Sequence, residues 1–136
     1  MGASSITNQN ALQCIVARYD FAVHGGAVSS IGMRVRIPSG SIICNTLLDV
    51  ITAPTSGGSA TIAVTSEGAG DIVAATSIAS APWSTTGRKV GIPDFATATD
   101  AVKTTAEREL TVTIATAALT AGKFDVYIFY VNNATA

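Results

Sequence analysis

The feature of this sequence that most constrains the fold is an alternation of apolar and polar side chains with a period of two residues. Its clearest example is the segment Ile31, Gly32, Met33, Arg34, Val35, Arg36, Ile37. Successive side chains of a β-strand point to opposite faces of a sheet, so this spacing predicts a half-buried strand. Comparable alternation predicts further strands at residues 15–24, 60–65, 108–116 and 123–131.

Other segments carry weaker or different patterns. The run 42–52 is apolar on both faces, which predicts either a strand buried on both sides or a strand with a bulge near Asn45. A short strand is predicted at 88–92 and a turn at 119–122, whereas 72–81 fits either a strand or a helical turn.

The composition favours the same structural class. The chain has 13 Ile, 12 Val and 18 Thr but only 5 Leu, and β-branched residues prefer the pleated sheet. Seven or eight short strands therefore predict an all-β protein, an antiparallel two-sheet β-sandwich, and eight strands would fit a jelly roll. Residues 1–12 are polar and unpatterned, which predicts an N-terminal arm, either extended or a disordered tail, followed by a single β-sandwich domain at 13–136.

The charge of the chain argues against several classes of partner. Only 12% of its 136 residues are charged and the formal net charge is −1, so the basic excess of a nucleic-acid binder is absent. No apolar run approaches about 18 residues, and the first residues lack the pattern of a signal peptide. A surface so poor in charge is typical of one partly covered by copies of itself or by a partner. The alternative is a monomer with a neutral polar surface.

The residue types needed for catalysis or metal binding are scattered. His24 is the only histidine, and no nucleophile, phosphate-loop or zinc motif is present. The acidic pair in Glu67–Asp71 fits a hairpin turn better than a calcium loop. Cys14 and Cys44 are expected as reduced thiols, with a disulfide as the alternative. The sequence therefore predicts no enzyme, no catalytic residue, no metal and no cofactor.

Candidate interface residues come from three places in the chain. The closing strand is apolar on both faces, so the face of Tyr127 and Phe129 is expected to be covered by another subunit or by a loop. The arm offers three apolar side chains, and the loop before residue 92 offers an aromatic residue with two cations. These further candidates are Met1, Ile6, Leu12, Trp83, Arg88 and Lys89. For Trp83, a cap on one end of the sandwich is favoured over a partner or sugar contact.

Four segments resemble one protein family in their overall sequence pattern. They are YDFAVHGGAVSSI, DVITAPTSGGSATIAV, DIVAATSIASAPWSTTGRKVGIPDF and LTVTIATAALTAGKFDVYIFYV. Together they resemble small structural proteins of tailed-phage and prophage virions, among them capsid decoration (cement) proteins. The resemblance implies a protein that binds the major capsid protein and stabilises the phage shell, often as a homotrimer. It implies a place on the capsid surface after assembly in the host cytoplasm. A tail, neck or fibre component, or a carbohydrate-binding β-sandwich, remains the alternative.

Overall fold

The computed structural model describes residues 11–132, which form nine strands in two antiparallel sheets. The strands are β1 Gln13–Asp20, β2 Ser29–Ile37, β3 Ile42–Ser56, β4 Thr61–Thr65, β5 Val73–Ser77, β6 Gly87–Asp94, β7 Val102–Lys103, β8 Arg108–Ala115 and β9 Leu119–Val131. One short helix, α1 at Phe21–His24, and a 3₁₀ turn at Ala98–Asp100 complete the regular structure of this part of the chain. The predicted all-β sandwich is confirmed, with the two-residue β7 as a ninth strand.

The two sheets bury each other's apolar faces. The five-stranded sheet has the order β1-β9-β3-β6, with β7 paired to β3, and the four-stranded sheet has the order β2-β8-β4-β5. Their shared core is one cluster that draws buried side chains from both sheets. Its largest fully buried members are Trp83, Tyr19, Phe124, Ile37, Ile43 and Leu48. Within residues 11–132, no helix is long and apolar enough to cross a membrane.

The first strand is shorter than its alternation predicts. The pattern extended the strand to His24, but β1 ends at Asp20 and the next four residues form α1. The Asp20 side chain accepts a hydrogen bond from the backbone N–H of Ala22 at 3.0 Å, so it caps the helix. Val23, predicted to point inward, is 75% exposed. The strand ends earlier than predicted because the Asp20 cap stabilises a helical turn, even though the alternation of apolar and polar residues continues.

The closing strand is longer than predicted. The expected turn at 119–122 is wrong, since Leu119 pairs with Ser56 and Ala121 pairs with Thr55 inside β9. Gly122 has a φ of 147°, and a Cβ at this position would lie 3.2 Å from Pro54. This glycine therefore permits close approach of two strands and does not mark a chain reversal. The reversal lies at 116–118, where Thr116 has a φ of 74°.

Two other open points are resolved by the strand pairing. The register of β3 against β9 shifts between Ile43 and Asn45, which is the bulge expected near Asn45. The ambiguous segment 72–81 contains β5, which pairs with β4 in the four-stranded sheet. The turn Glu67–Asp71 joins these two strands. The short strand expected at 88–92 is the centre of β6, an edge of the five-stranded sheet.

Candidate interface site

A row of apolar side chains crosses the outer face of the five-stranded sheet. The pairing places Val16 of β1 opposite Tyr127 of β9, Tyr127 opposite Leu47 of β3, and Leu47 opposite Val90 of β6. Side chains directly opposite each other in antiparallel strands lie on the same face. Val16 is 47% exposed and Val90 is 57% exposed, whereas Leu47 and Tyr127 are half-buried between them. We call these four residues the apolar row.

A charged row lies beside the apolar row, one pleat further along the strands. Arg18 lies opposite Asp125, Asp125 opposite Asp49, and Asp49 opposite Arg88. Arg18 binds the buried Asp125 carboxylate with two hydrogen bonds of 2.6 and 2.8 Å. These bonds raise the pKa of the Arg18 guanidinium. The two cations and two anions balance, so the outer face has no large charge of one sign.

The edge of the same sheet carries a second apolar surface. Along β6 and just beyond it, Val90, Ile92 and Phe95 are all exposed, and Phe95 is 64% exposed. Phe95 has a φ of 68°, which is unusual for a bulky residue. Its backbone N–H donates to the carbonyl of Cys44 at 3.0 Å, and the next N–H donates to the Asp94 carboxylate at 2.9 Å. The turn therefore holds an aromatic ring out into solvent.

Trp83 is not a surface anchor. Its side chain is fully buried, and its ring packs on Phe124 with centroids 4.7 Å apart. This position confirms the expectation that Trp83 closes the sandwich and corrects its selection as an interface residue. A ring inside the core also provides no platform for a sugar. The sequence favoured the cap, because a lone Trp beside Pro82 in a loop has an apolar body to bury.

The other sequence-predicted residues divide between two parts of the molecule. Tyr127 and Phe129 lie on the outer face of the five-stranded sheet, where Arg88 also lies. Lys89 lies on β6 next to Arg88, and its ammonium donates to the backbone carbonyls of Thr85 and Thr86. This bonding holds Lys89 against its own loop. Leu12 is exposed just before β1, whereas Met1 and Ile6 lie outside the described residues.

Several titratable side chains of the described residues have structural partners. His24 accepts a hydrogen bond from the backbone N–H of Asp20 at 3.1 Å and stacks on Tyr19. Between residues 11 and 132, no three His, Cys, Asp or Glu side chains converge as metal ligands would. The surface depressions near β6 are shallow, and the groove between β5 and β6 has a volume of about 250 Å³.

Both cysteines are free thiols, as the sequence favoured. Cys14 on β1 and Cys44 on β3 lie on the two strands that flank β9. Strands two places apart are separated by about 9 to 10 Å, which exceeds the roughly 7 Å that a disulfide spans between Cα atoms. Partial burial raises the pKa of both thiols, so they are poorly suited to act as nucleophiles.

Sequence reasoning missed the residues that complete the two apolar surfaces. Val16 and Val90 come together with Tyr127 only through strand order and register, which a single sequence does not reveal. The alternation of the first strand alone places Val16 on its outward face without a partner. Phe95 follows Pro93 and Asp94 in a weakly patterned segment. The dipeptide before Phe95 is a turn signal, and that signal alone could have suggested an exposed ring.

The fold matches chains from three solved phage capsids. A chain of the acid-stable capsid of Helicobacter pylori bacteriophage KHP30 aligns with a TM-score of 0.65 and 12% identity, covering 93% of this chain and 91% of that one. A chain of the cyanophage Pam1 capsid gives 0.63 and 16%, covering 91% and 86%. A chain of the Ralstonia phage GP4 capsid gives 0.58 and 19%, covering 88% and 84%.

Sequence comparisons give a different result from the structural comparison. No family model matches the chain. No curated protein matches it either. The likeness is therefore one of fold, and it extends over most of both chains in each of the three pairs.

Proposed function

We propose that this chain is a structural protein of a tailed-phage virion, a capsid decoration (cement) protein that binds the major capsid protein and stabilises the shell. The observation that carries the proposal is the fold match to chains of three phage capsids, each aligned over at least 84% of its own length. A match of this extent concerns the whole domain and not a common local motif. The place of action is then the capsid surface, reached during assembly in the host cytoplasm.

The strand order supports the same proposal. Leaving out the two-residue β7, the chain alternates between sheets as β1, β2, β3 and β4, stays in the second sheet for β5, and then passes through β6, β8 and β9. Eight strands connected in this way make two interlocked Greek keys, the jelly-roll arrangement that recurs in viral capsid domains. We therefore assign the sandwich as a jelly roll. Jelly rolls also serve as lectin and enzyme scaffolds, so the topology supports a shell role without requiring it.

The surface supports a protein that acts by broad contact. The apolar row, the exposed edge of β6 and the balanced charged row all lie on one sheet. Interfaces take much of their energy from a few aromatic and Arg anchors set among less critical contacts. Phe95, Tyr127 and Arg88 are side chains of this kind. We propose Phe129 and Lys89 as neighbours of this contact surface.

The predicted arm provides a second means of attachment. Residues 1–12, including Met1, Ile6 and Leu12, are proposed to lie along a neighbouring subunit and to bridge the gap between capsomers. Twelve residues in extended form reach about 40 Å, further than any side chain of the sandwich. Ordering such a segment costs conformational entropy on binding, so its contribution depends on the partner being present. We propose in addition a homo-oligomer, for which the family resemblance implies a trimer.

The decisive experiment mixes the purified chain with phage shells that lack it. Bound protein is quantified after sedimentation, and the shells are then exposed to heat or osmotic shock. We expect saturable binding at hundreds of copies per particle and survival at higher stress. Shells that bind no protein would reject the cement role, and recovery of a few copies from intact virions would then favour a tail or neck component.

A deletion separates the arm from the domain. Removal of residues 2–12 should leave the β-sheet circular dichroism spectrum unchanged and reduce occupancy on the shells. A matched control replaces the polar residues Ser4, Ser5, Thr7 and Asn8 with Gly, which keeps the arm's length and Ile6. If the deletion binds shells as tightly as the full chain, the arm has no role in attachment and the sheet surface carries it alone.

A further inference from the structure

Both sheets end in an edge strand on one side of the sandwich. These edges are β6 of the five-stranded sheet and β5 of the four-stranded sheet. They meet where the backbone N–H of Ile92 donates to the carbonyl of Ile72, just before β5, at 2.8 Å. An edge strand has a row of backbone groups without a strand partner, and proteins commonly cover such an edge with another piece of chain. This side of the sandwich therefore has room for a further segment.

An apolar trough runs along β6 on this side. Its first part has a volume of about 250 Å³ and lies between Ile72, Pro82 and Ile92. Its second part is bordered by Pro82, Val90 and Arg88. Pro82 and Val90 line both parts, so the two parts adjoin, and we call them together the β6 trough. From Ile92 to Arg88 the trough follows four residues of a strand, about 13 Å, which suits an extended segment of chain.

We propose that the arm of the same chain occupies the β6 trough in the free protein, with Ile6 at the Ile92 end. The proposal goes beyond the role proposed above, which concerns the arm on the shell, and does not depend on it. Residues 1–10 carry no charged side chain, and their apolar side chains larger than alanine are Met1 and Ile6. An uncharged segment of this kind complements a lining that is mainly apolar, because seating Ile6 removes apolar area from water on both sides.

The described chain begins at the end of the sheet from which the trough is reached. The pairing places Cys14 of β1 opposite Phe129 of β9, and Phe129 opposite Asn45 of β3. Asn45 in turn lies opposite Asp94, the last residue of β6. Cys14 is therefore three strand spacings from the end of β6, which is about 14 Å.

The length of the arm matches the remaining distance. Ile92 lies two residues further along β6, about 7 Å, so the path from Cys14 to Ile92 is about 21 Å. Ile6 precedes Cys14 by eight residues, which extend over about 26 Å. Residues 1–5 extend over a further 16 Å or so, enough to follow the trough to Arg88. The arm of one chain can therefore fill its own trough.

The opposite side of the sandwich is less suitable for this segment. There the two sheets end in β1 and β2, and the exposed side chains include Arg18, Arg34 and Arg36. An uncharged segment lying over guanidinium groups would remove them from water without providing a counter-charge. Val90 and Ile92, by contrast, are exposed apolar side chains two residues apart on one strand.

An occupied trough holds the arm back until a shell is present. An arm that lies in its own trough does not at the same time lie along a neighbouring subunit. Attachment then includes release of the arm, which exposes Val90 and Ile92 for the contact surface. Because the connection to β1 is short, the arm is present at a high effective concentration near its own trough, and a weak contact is enough for occupancy.

The test is methyl NOE spectroscopy of the full chain, labelled with ¹³C at the isoleucine δ1 and valine methyl groups. We expect cross-peaks from the Ile6 methyl to the methyls of Val90 and Ile92. Val90→Asp places a charge in the trough and should abolish the cross-peak between Ile6 and Ile92. Val28→Asp is the matched control and should keep that cross-peak, because Val28 is 55% exposed against 57% for Val90 and lies before β2.

A second variant makes the test independent of changes within the sandwich. Ile6→Ser lies in the arm and should shift the methyl signals of Val90 and Ile92 while leaving the signal of Val28 in place. Methyl signals of Val90 and Ile92 that do not respond to Ile6→Ser would reject the contact.

A mixed sample distinguishes the arm's own trough from that of a second copy. Labelled and unlabelled chains are combined in equal amounts, and an isotope-filtered NOE spectrum reports only contacts between chains. Cross-peaks of Ile6 that appear in the filtered spectrum would place the arm in another copy and overturn the proposal. The absence of any Ile6 cross-peak to Val90 or Ile92 would overturn it equally. Shell binding is measured separately, so either result leaves the proposed function standing.

Discussion

Phe95 adopts a backbone conformation that its side chain disfavours. At a φ of 68°, the Cβ of an L-residue crowds its own carbonyl group, which costs on the order of 1 kcal/mol. Burial does not offset this cost, since most of the ring is in solvent. Glycine has no Cβ and adopts this conformation freely. Phe95 is therefore less favourable for folding than glycine would be at this position. This is expected of a residue whose side chain serves an intermolecular contact.

The substitution Phe95→Gly should therefore stabilise the monomeric fold by about 1 kcal/mol. The measurement is the denaturant midpoint of the purified chain at a concentration where it sediments as a monomer. Thr116→Gly is the matched control, because Thr116 is exposed, has a φ of 74° and lies outside both the apolar row and the exposed edge of β6. It should give a similar gain in the denaturant midpoint. A lower midpoint for Phe95→Gly would mean that the ring stabilises its own chain.

At the scale of single elements, side-chain hydrogen bonds stabilise the β4–β5 turn at both of its ends. The Asp71 carboxylate accepts hydrogen bonds from the backbone N–H groups of Ser66, Glu67 and Gly68. The Glu67 carboxylate reaches in the other direction and accepts from Arg108 Nε at 2.6 Å and from the Thr105 hydroxyl at 2.7 Å. Glu67 thereby joins the turn to the start of β8.

The bonds to Glu67 predict a loss of stability in acid. Hydrogen bonds from Arg108 and then Thr105 lower the pKa of Glu67 from its ordinary 4.5 to about 2. Because the folded pKa lies below the unfolded one, the stabilisation is complete above pH 4.5 and is lost as the pH falls towards 2. Glu67→Gln should flatten the denaturant midpoint across this interval. Glu107→Gln, at an exposed pair with Arg36 3.7 Å apart, should leave the slope unchanged.

The elements differ in how far the sequence predicts them, and the difference has a physical cause. Strands with one apolar face, such as β2 and β8, follow from local alternation, because that pattern is the direct consequence of half-burial. The start of β9 does not follow from local alternation. There Gly122 allows the close approach of Pro54, a residue 68 positions earlier. Helix α1 replaces the end of a predicted strand because one Asp20 hydrogen bond caps it.

The candidate interface shows the same division. Tyr127 and Phe129 follow from sequence because a strand that is apolar on both faces needs cover on both. Val16, Leu47 and Val90 join Tyr127 in one row only after strand order and register are known. Trp83 shows a second limit of prediction from sequence, which concerns burial and not strand pairing. Its loop position allowed both a surface and a core role, and only its packing against Phe124 distinguishes them.

At the scale of the whole molecule, one core cluster takes side chains from both sheets and includes three packed aromatic rings. Trp83 and Tyr19 both pack on Phe124, with ring centroids 4.7 and 5.2 Å away. Phe124 belongs to β9 of the five-stranded sheet, and the same cluster includes Ile62 and Val112 of the four-stranded sheet. If one sheet unfolded, the apolar face of the remaining sheet would therefore be exposed to water. Small domains with a shared core of this kind unfold in a single cooperative transition.

We predict that the two sheets unfold together and that Trp83 reports the event. In the folded chain the indole is fully buried, so its emission should be blue-shifted and insensitive to soluble quenchers. The red shift of this emission and the loss of β-sheet circular dichroism should then share one denaturant midpoint at a concentration where the chain sediments as a monomer. Trp83→Phe keeps an aromatic contact with Phe124 and should lower the circular dichroism midpoint without splitting the transition. Two separate midpoints would mean that one sheet is stable alone, which a sandwich with a shared core does not allow.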